Sequence, residues 1–409
     1  MPPSPPLAEG RDRRRLAIVL AGAAAFFSLY APQSLMPLLH AWLGDSAALA
    51  GMIVSAGTLG VAVAAPFAGL LADRIGRRRV IVGAAFAVVL PAACVALAQS
   101  PQQLIAARFA QGLCLPGIFA VTVAYIGSHW PAQQARQVTA LYVAGTIGGG
   151  FCGRFLSGFV AEFSSWQWGF GALATMQLIL ALAIRAWLPP EHETPRSSGA
   201  SPLSTMRRLL ARAELRGAYL VGFSLLFALV GGFTYITLRL ARPPFSLGPA
   251  ALSSIFAVYL VGVLVTPLGG RLLNRYGHAR LLAIAWSLAI AGLALSLVPS
   301  LPGVVVALTL FSAGLFLAQT SATSFVTEAS GEARATSVGL YVLCYYLGGS
   351  VGGVLPAALW NLTGWPGVAV LIAAIGFGSI AVGRRRFQLP QQRAADAPAP
   401  MPEAGGEAP

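Results

Sequence analysis

The chain has 409 residues, of which 56% are hydrophobic and only 10% are charged, whereas soluble domains have about 25% charged residues. This composition excludes a soluble enzyme. The long apolar blocks also disfavour an outer-membrane barrel, whose strands alternate in polarity. The formal net charge is +14, and the charged basic residues are all arginines that flank apolar blocks. Such charges orient a membrane chain, so we expect no nucleic-acid partner.

Apolar blocks long enough to cross a bilayer core about 30 Å thick follow one another along the chain. With arginine, proline and glycine-rich turns as breaks, there are twelve, at about 15–38, 48–71, 79–98, 103–128, 136–161, 168–188, 217–240, 249–270, 279–298, 303–327, 335–358 and 364–383. The sequence therefore predicts an all-α membrane protein with twelve transmembrane helices.

The arginines test this count independently, because cytoplasmic loops carry an excess of basic residues. The arginines are concentrated in every second loop. With an even number of spans, these loops lie on the same side of the membrane as both termini. On the opposite side only Arg239 and Arg242 occur. We therefore predict a multi-pass protein of a bacterial cytoplasmic membrane with both termini in the cytoplasm. The use of arginine without lysine is typical of a GC-rich, bacterial genome.

The domain organisation follows from the hydrophilic segments. We predict a cytoplasmic tail over 1–14, six-helix bundles over 15–188 and 217–383, a central linker over 189–216, and a disordered tail over 384–409. Within the linker, one face of a short helix would carry Met206, Leu209, Leu210 and Ala213. This face fits either a helix on an anionic membrane surface or a solvated linker, and both interpretations are open.

The two predicted bundles are related by an internal repeat. Five positions of the first half have counterparts 201 positions later. Gly69, Asp73, Arg74, Gly76 and Arg79 correspond, in that order, to Gly270, Asn274, Arg275, Gly277 and Arg280. A second set recurs 199 positions later, from Leu141 with Tyr142 to Leu340 with Tyr341. The chain is therefore a duplicated six-span unit, and facing repeats commonly form a central site that opens to alternate sides.

Several motifs carry a family resemblance. GLLADRIGRRR (69–79) resembles the loop motif between the second and third spans of the major facilitator superfamily, and GRLLNRYGHAR (270–280) repeats it. RFAQG (108–112) and the glycine-rich stretch 145–158 resemble motifs of its proton-linked antiporters. The resemblance implies efflux of a small organic molecule by proton antiport, as in the drug and sugar efflux branch. Drug antiporters usually have Gly-Pro in the fifth span, whereas Gly153 is followed here by Arg154.

The loop motifs imply a cytoplasmic gate, for which the candidate residues are Gly69, Asp73, Arg74, Gly76, Arg77, Asn274, Arg275 and Gly277. In the family this carboxylate faces the start of the eleventh span. For Asp73 we expect a latch to residues 336–337, where free amides carry a partial positive charge. Asn274 is uncharged, so the second latch should be weaker. In the alternative interpretation the arginines only orient the loop.

Polar and aromatic side chains inside the spans predict a substrate cavity lined by Tyr30, Gln33, Arg108, Gln111, Tyr142, Arg154, Gln319, Thr323, Tyr341 and Tyr345. A buried arginine costs at least about 3 kcal/mol on insertion scales. Arg108 would therefore bind an anionic group, modulate the protonation of a neighbour or reach lipid phosphate. Arg154, deeper in its span, needs a water-filled cavity or a partner. Hydrogen bonding between helices is the competing role for each polar residue.

Small residues predict close helix packing at Gly145, Gly149, Gly153, Gly348 and Gly352. No span has a carboxylate near its centre, so a residue that couples protons is not evident from the pattern. The four cysteines lack metal-ligand spacing, so we predict neither a metal site nor a cofactor. A proton gradient is the energy source that the resemblance implies.

Three functional classes compete. The first is an efflux transporter that exchanges a small organic molecule for protons. The second is an uptake or facilitative carrier for an organic anion that uses Arg108 and Arg154. The third, a membrane enzyme or receptor, lacks a phosphate loop, paired carboxylates and a nucleophile triad. We therefore expect a monomeric transporter, not an enzyme, whose partners are the lipid bilayer and a small-molecule substrate.

Overall fold

The computed structural model describes residues 7–189 and 202–387, and within these ranges it contains helices and turns but no β-strand. The helices are α1 (Leu7–Phe27), α2 (Met36–Trp42), α3 (Ala47–Ile75), α4 (Arg77–Ala87), α5 (Val89–Ala96), α6 (Pro101–His129), α7 (Ala132–Glu162), α8 (Trp166–Trp187), α9 (Pro202–Ala211), α10 (Ala213–Leu240), α11 (Pro249–Ile255), α12 (Val261–Leu295), α13 (Leu301–Ala329), α14 (Arg334–Val354), α15 (Pro356–Thr363) and α16 (Trp365–Arg386). Short 3₁₀ turns lie at Ala31–Gln33, Phe256–Leu260 and Gly331–Ala333.

These helices agree with twelve spans. Of the described residues, nine continuous helical segments are long and apolar enough to cross a membrane. One of them, Pro249–Leu295, has 47 residues and is interrupted at Gly277, whose φ of 73° is not helical, so it supplies two spans. The first span consists of α1, the turn Ala31–Gln33 and α2, and α7 is the fifth. The all-helical architecture predicted from the sequence is confirmed.

The first and last helices extend beyond two of the predicted domain boundaries. The sequence predicts a tail over 1–14, whereas α1 begins at Leu7, because no proline follows Pro6 for many residues. At the other end α16 continues to Arg386, and its basic last turn favours a helix C-terminus. In the linker, α9 contacts α10 and α14. The linker residues 190–201 and the predicted disordered tail from 388 lie outside the described residues.

Within each half, glycines bring two helices into backbone contact. Gly145, Gly149 and Gly153 on α7 face the backbone of α1, and Gly348 and Gly352 on α14 face the backbone of α10. A Cβ atom at any of these five positions would overlap backbone atoms of the facing helix. The first and second halves therefore use the same packing between their own first and fifth spans.

The two halves touch at the end of the bundle opposite the arginine-rich loops. The Ser55 hydroxyl donates to the Ser350 carbonyl at 2.5 Å, and the Thr58 and Ser350 hydroxyls are 3.0 Å apart. At the same end, the Ala250 amide donates to Glu162 Oε2 at 2.9 Å. This conformation is therefore closed at the end that carries Glu162.

The arginine-rich end lacks the predicted latch in this conformation. Asp73 is exposed, and within the described ranges it has no hydrogen-bond or ion-pair partner. Ser337, at the start of the eleventh span, instead shares a hydrogen bond of 2.8 Å with the Tyr219 hydroxyl. A latch through Asp73 stays a prediction for a conformation in which the arginine-rich end is closed.

Replacement of Gly153 tests the glycine contacts. In Gly153→Val the new side chain would overlap the Phe27 carbonyl oxygen, and overpacking of this kind costs about 1–3 kcal/mol. We expect a clearly lower thermal midpoint in detergent. Gly148→Ala on the same helix is the control, because a Cβ there meets no atom within 4 Å, and its midpoint should be unchanged or higher. Equal losses in both variants would contradict the packing role.

Candidate functional site

The first span is broken near its middle, which leaves two carbonyl groups without helical donors. α1 ends at Phe27, and Pro32 in the following turn has no N–H to donate to the Ser28 carbonyl. The Gln33 amide donates to the Tyr30 carbonyl at 3.0 Å, as in a 3₁₀ turn, so the Leu29 carbonyl also loses its donor. Because buried carbonyls need partners, donors must come from another helix.

Arg108 on α6 supplies those donors. Its Nη1 donates to the Ser28 carbonyl at 3.1 Å, its Nη2 to the Leu29 carbonyl, and its Nε to the Ile53 carbonyl at 3.4 Å. Gln111 accepts a further hydrogen bond from Arg108 and donates to Ser28 Oγ at 2.8 Å. Arg108 is 0% exposed. Its guanidinium therefore caps the break in the first span and has no surface open to a substrate in this conformation.

Arg154 on α7 lies in different surroundings. Its Nη1 donates to the Gly150 carbonyl at 2.7 Å, and its Nε and Nη2 donate to Gln33 Oε1 at 3.3 and 2.9 Å. Three rings face its guanidinium, with centroids 5.1 Å (Tyr30), 4.8 Å (Phe256) and 4.8 Å (Tyr259) from Cζ. We call Tyr30, Gln33, Phe256 and Tyr259 the arginine cage. The cage joins the broken first span to the eighth span in the second half.

None of the acidic side chains that the structure describes forms an ion pair with Arg154. Asp45 pairs with His40 and Glu328 pairs with His278, and Glu162 accepts a hydrogen bond from the Ala250 amide. Arg154 is 3% exposed, so solvent contributes little. Cation–π contacts to the three rings offset part of the desolvation cost, with about 2 kcal/mol or more for a desolvated pair. A buried cation with aromatic neighbours and no carboxylate is suited to binding an anion.

A second set of aromatic contacts lies in the second half. On α14, Tyr346 is the first of three aromatic residues in contact with one another. From Tyr346 the contacts continue to Tyr345 (ring centroids 5.5 Å apart) and then Tyr341 (6.0 Å), whose hydroxyl donates to Gln319 Oε1 at 3.0 Å. The structure therefore places Tyr30, Gln33 and Arg154 of the predicted cavity in the cage, and it places Tyr341, Tyr345 and Gln319 in this second set.

Other predicted cavity residues lie at the margin of this site. The Tyr142 hydroxyl donates to the Phe119 carbonyl at 3.1 Å, and the Phe119 ring stacks on Tyr346 at 5.8 Å, so Tyr142 is a supporting residue. Thr323 bonds to the Gln319 carbonyl of its own helix at 2.8 Å. Arg108 and Gln111 are hydrogen-bonded to each other, and their other hydrogen bonds go to Ser28, Leu29 and Ile53 and not to the cage residues.

Sequence reasoning missed Phe256, Tyr259, Tyr346 and Phe119. Phe256 and Tyr259 are three residues apart, and Tyr346 follows the predicted Tyr345. This spacing puts rings on one helix face, but aromatic rings in apolar spans serve equally in packing and against lipid. The useful signal was Arg154, whose buried charge needed neighbours, but it lies in the first half and did not point to rings of the second half.

The predicted gate residues lie at two equivalent turns. Gly76, with a φ of 93°, separates α3 from α4, and Gly277, with a φ of 73°, interrupts α12. Glycine adopts such left-handed conformations without strain, which explains why both copies keep it. The remaining gate residues are exposed or half-buried beside these turns: Gly69, Asp73, Arg74, Arg77, Asn274 and Arg275.

Two similar helical bundles with an enclosed polar site between them are the architecture of a membrane transporter. The sequence profile of the Major Facilitator Superfamily matches residues 18–353 and 245–405. The chain therefore belongs to the Major Facilitator Superfamily and is a multi-pass membrane transporter.

Curated relatives agree with this assignment. The chain is 31% identical over 378 residues to the inner membrane transport protein YnfM of Escherichia coli (strain K12), covering 91% of this chain and 90% of that one. It is 31% identical over 362 residues to the MFS-type transporter YybF of Bacillus subtilis (strain 168), covering 87% and 89%. The 3-(3-hydroxyphenyl)propionate transporter of E. coli (strain K12) is 27% identical over 399 residues, covering 95% and 92%.

Solved structures share the fold at low sequence identity. The nucleoside transporter NupG superimposes with a TM-score of 0.75 at 16% identity, covering 91% of this chain and 100% of that one. A bacterial homologue of the human lysosomal transporter Spinster gives a TM-score of 0.72 at 16% identity, covering 94% and 99%.

The two buried arginines should respond differently to substitution. Arg108→Met would leave the Ser28 and Leu29 carbonyls without donors, and each buried unsatisfied group costs about 1–3 kcal/mol, so we expect a loss of about 2–6 kcal/mol. Arg154→Met removes a buried charge that lacks a counter-ion, so stability should be unchanged or higher. Thermal unfolding in detergent measures both. Equal destabilisation of the two variants would contradict the separate assignments.

Proposed function

We propose that this transporter carries a small organic anion by alternating access and that Arg154 binds the anionic group. One observation carries the proposal: Arg154 is buried at the contact between the halves, and none of the described acidic side chains forms an ion pair with it. A carboxylate substrate would supply the missing negative charge. Bidentate hydrogen bonds between arginine and carboxylate are among the strong polar contacts in proteins.

The surroundings of Arg154 favour an anion with an aromatic or other flat apolar body. Tyr30, Phe256 and Tyr259 present rings to the site, and ring-to-ring contacts would bury such a body. The similarity to a 3-(3-hydroxyphenyl)propionate transporter supports this choice, since that compound combines an aromatic ring with a carboxylate. We use it below as the probe.

We assign the arginine-rich end to the cytoplasm, because basic loops are retained there. Both termini are then cytoplasmic, and the closed end that carries Glu162 faces away from the cytoplasm. In this orientation the conformation described here would load substrate from inside the cell. We therefore propose outward transport through the bacterial cytoplasmic membrane.

The electrical potential can drive this export. With the inside negative, outward movement of one negative charge is favoured by about 2.3 kcal/mol per 100 mV. Export of an anion therefore needs no titratable side chain in the pathway, and within the described ranges the arginine cage contains no acidic or histidine residue. The proton antiport that the motifs imply stays a prediction, and the following experiment distinguishes it from potential-driven export.

Reconstituted protein tests substrate class and energy source together. We expect proteoliposomes to transport 3-(3-hydroxyphenyl)propionate at a rate that follows an imposed potassium diffusion potential and changes little with an imposed pH gradient. Arg154→Met should reduce the flux at least tenfold, because the anion loses its only cationic partner. Arg136→Met is the control, since Arg136 is an exposed residue of the same helix.

Both the substrate assignment and the energy source can be refuted by this experiment. Full flux in Arg154→Met, or no binding of the anion by the wild-type protein, would refute the organic-anion assignment. Flux that follows both the pH gradient and the potential would establish proton antiport. Flux that follows the pH gradient and ignores the potential would show that the anion moves together with a proton, and it would refute potential-driven export.

A further inference from the structure

Gln33 occupies the edge of the Arg154 guanidinium that suits a carboxylate. Nε and Nη2 of Arg154 both donate to the single Oε1 atom of Gln33, at 3.3 and 2.9 Å. These two N–H groups form the fork that binds both oxygens of a carboxylate. In this position Gln33 provides one neutral acceptor atom. A carboxylate in the same position would provide two oxygen atoms and a negative charge.

The other end of the Gln33 amide crosses to the second half of the protein. Because arginine has donors only, the amide oxygen must face Arg154 and the amide nitrogen must point away. That nitrogen donates to the Val230 carbonyl at 3.4 Å and to Thr234 Oγ1 at 3.3 Å, both on α10. Gln33 therefore links the anion-binding arginine of one half to the first span of the other half.

We infer that Gln33 is an internal substitute for the substrate carboxylate and that it sets the preference for anions. This inference rests on the proposed function. A carboxylate displaces Gln33 Oε1 from Arg154, because it replaces one neutral acceptor by two charged ones. A neutral ligand replaces an amide oxygen by an equivalent acceptor and gains little, so it binds more weakly than the anion.

The same displacement couples binding to movement. Once its oxygen leaves Arg154, Gln33 is held only by its two contacts with α10, and the direct connection from Arg154 through Gln33 to the second half is lost. Binding of the anion therefore weakens one link between the halves at the site itself.

Equilibrium binding of 3-(3-hydroxyphenyl)propionate to the purified protein in nanodiscs tests the inference. Gln33→Met removes the competing acceptor and keeps the side-chain volume, so the anion should bind at least threefold more tightly. Gln33→Glu supplies a permanent carboxylate, so the anion should bind at least tenfold more weakly. Gln177→Met is the matched control, because Gln177 is a buried glutamine that bonds only to the Ala24 carbonyl, and its affinity should equal that of the wild type.

A purely structural role for Gln33 gives the opposite sign. If Gln33 only holds Arg154 in position, Gln33→Met weakens binding, and this result would overturn the inference while the proposed function stands. If Gln33→Met does not fold, Gln33→Glu decides, with the neutral amide of the same compound as a second probe. A loss confined to the anion supports displacement, and an equal loss for both probes overturns it. Failure of the anion to bind wild-type protein would refute the proposed function as well.

Discussion

A bilayer core offers no water to a free backbone carbonyl, so any break in a membrane helix must be compensated by the protein itself. The first span is broken at Ser28 to Gln33, and the site depends on how this break is satisfied. Arg108 holds the carbonyls on one side of the break. On the other side the break turns Tyr30 and Gln33 toward Arg154. The broken segment thus requires Arg108 as a donor, and it also provides two of the side chains that contact Arg154.

The two arginines illustrate how surroundings decide function for one side-chain type. Arg108 meets carbonyl oxygens and an amide oxygen at Nε, Nη1 and Nη2, so its donors are occupied by the fold itself. Arg154 meets aromatic faces together with one carbonyl and one amide oxygen. Rings attract a cation but do not neutralise it. Arg154 therefore still attracts a negatively charged group, whereas the donors of Arg108 are occupied mainly by backbone carbonyls.

Much of the fold could be predicted from the sequence, because apolar length, arginine position and the repeat each report on membrane topology. Gln33 and Arg154 also stood out individually, since a polar group inside an apolar block needs a reason. The contact between Gln33 and Arg154 could not be predicted, because 121 residues separate them and nothing in the spacing relates the orientations of their side chains. Phe256 and Tyr259 were indistinguishable from packing rings, and the Asp73 contact depends on which conformation the protein adopts.

At the closed end, α3 and α14 meet through small residues. Gly51 lies against Gly353, and the neighbouring contacts are hydroxyl groups of serine and threonine. When such surfaces separate, little apolar surface becomes exposed to water or lipid. Each hydroxyl group can then donate to a carbonyl group of its own helix. Separation of α3 from α14 therefore requires the release of a few short polar contacts, which suits a protein that opens and closes repeatedly.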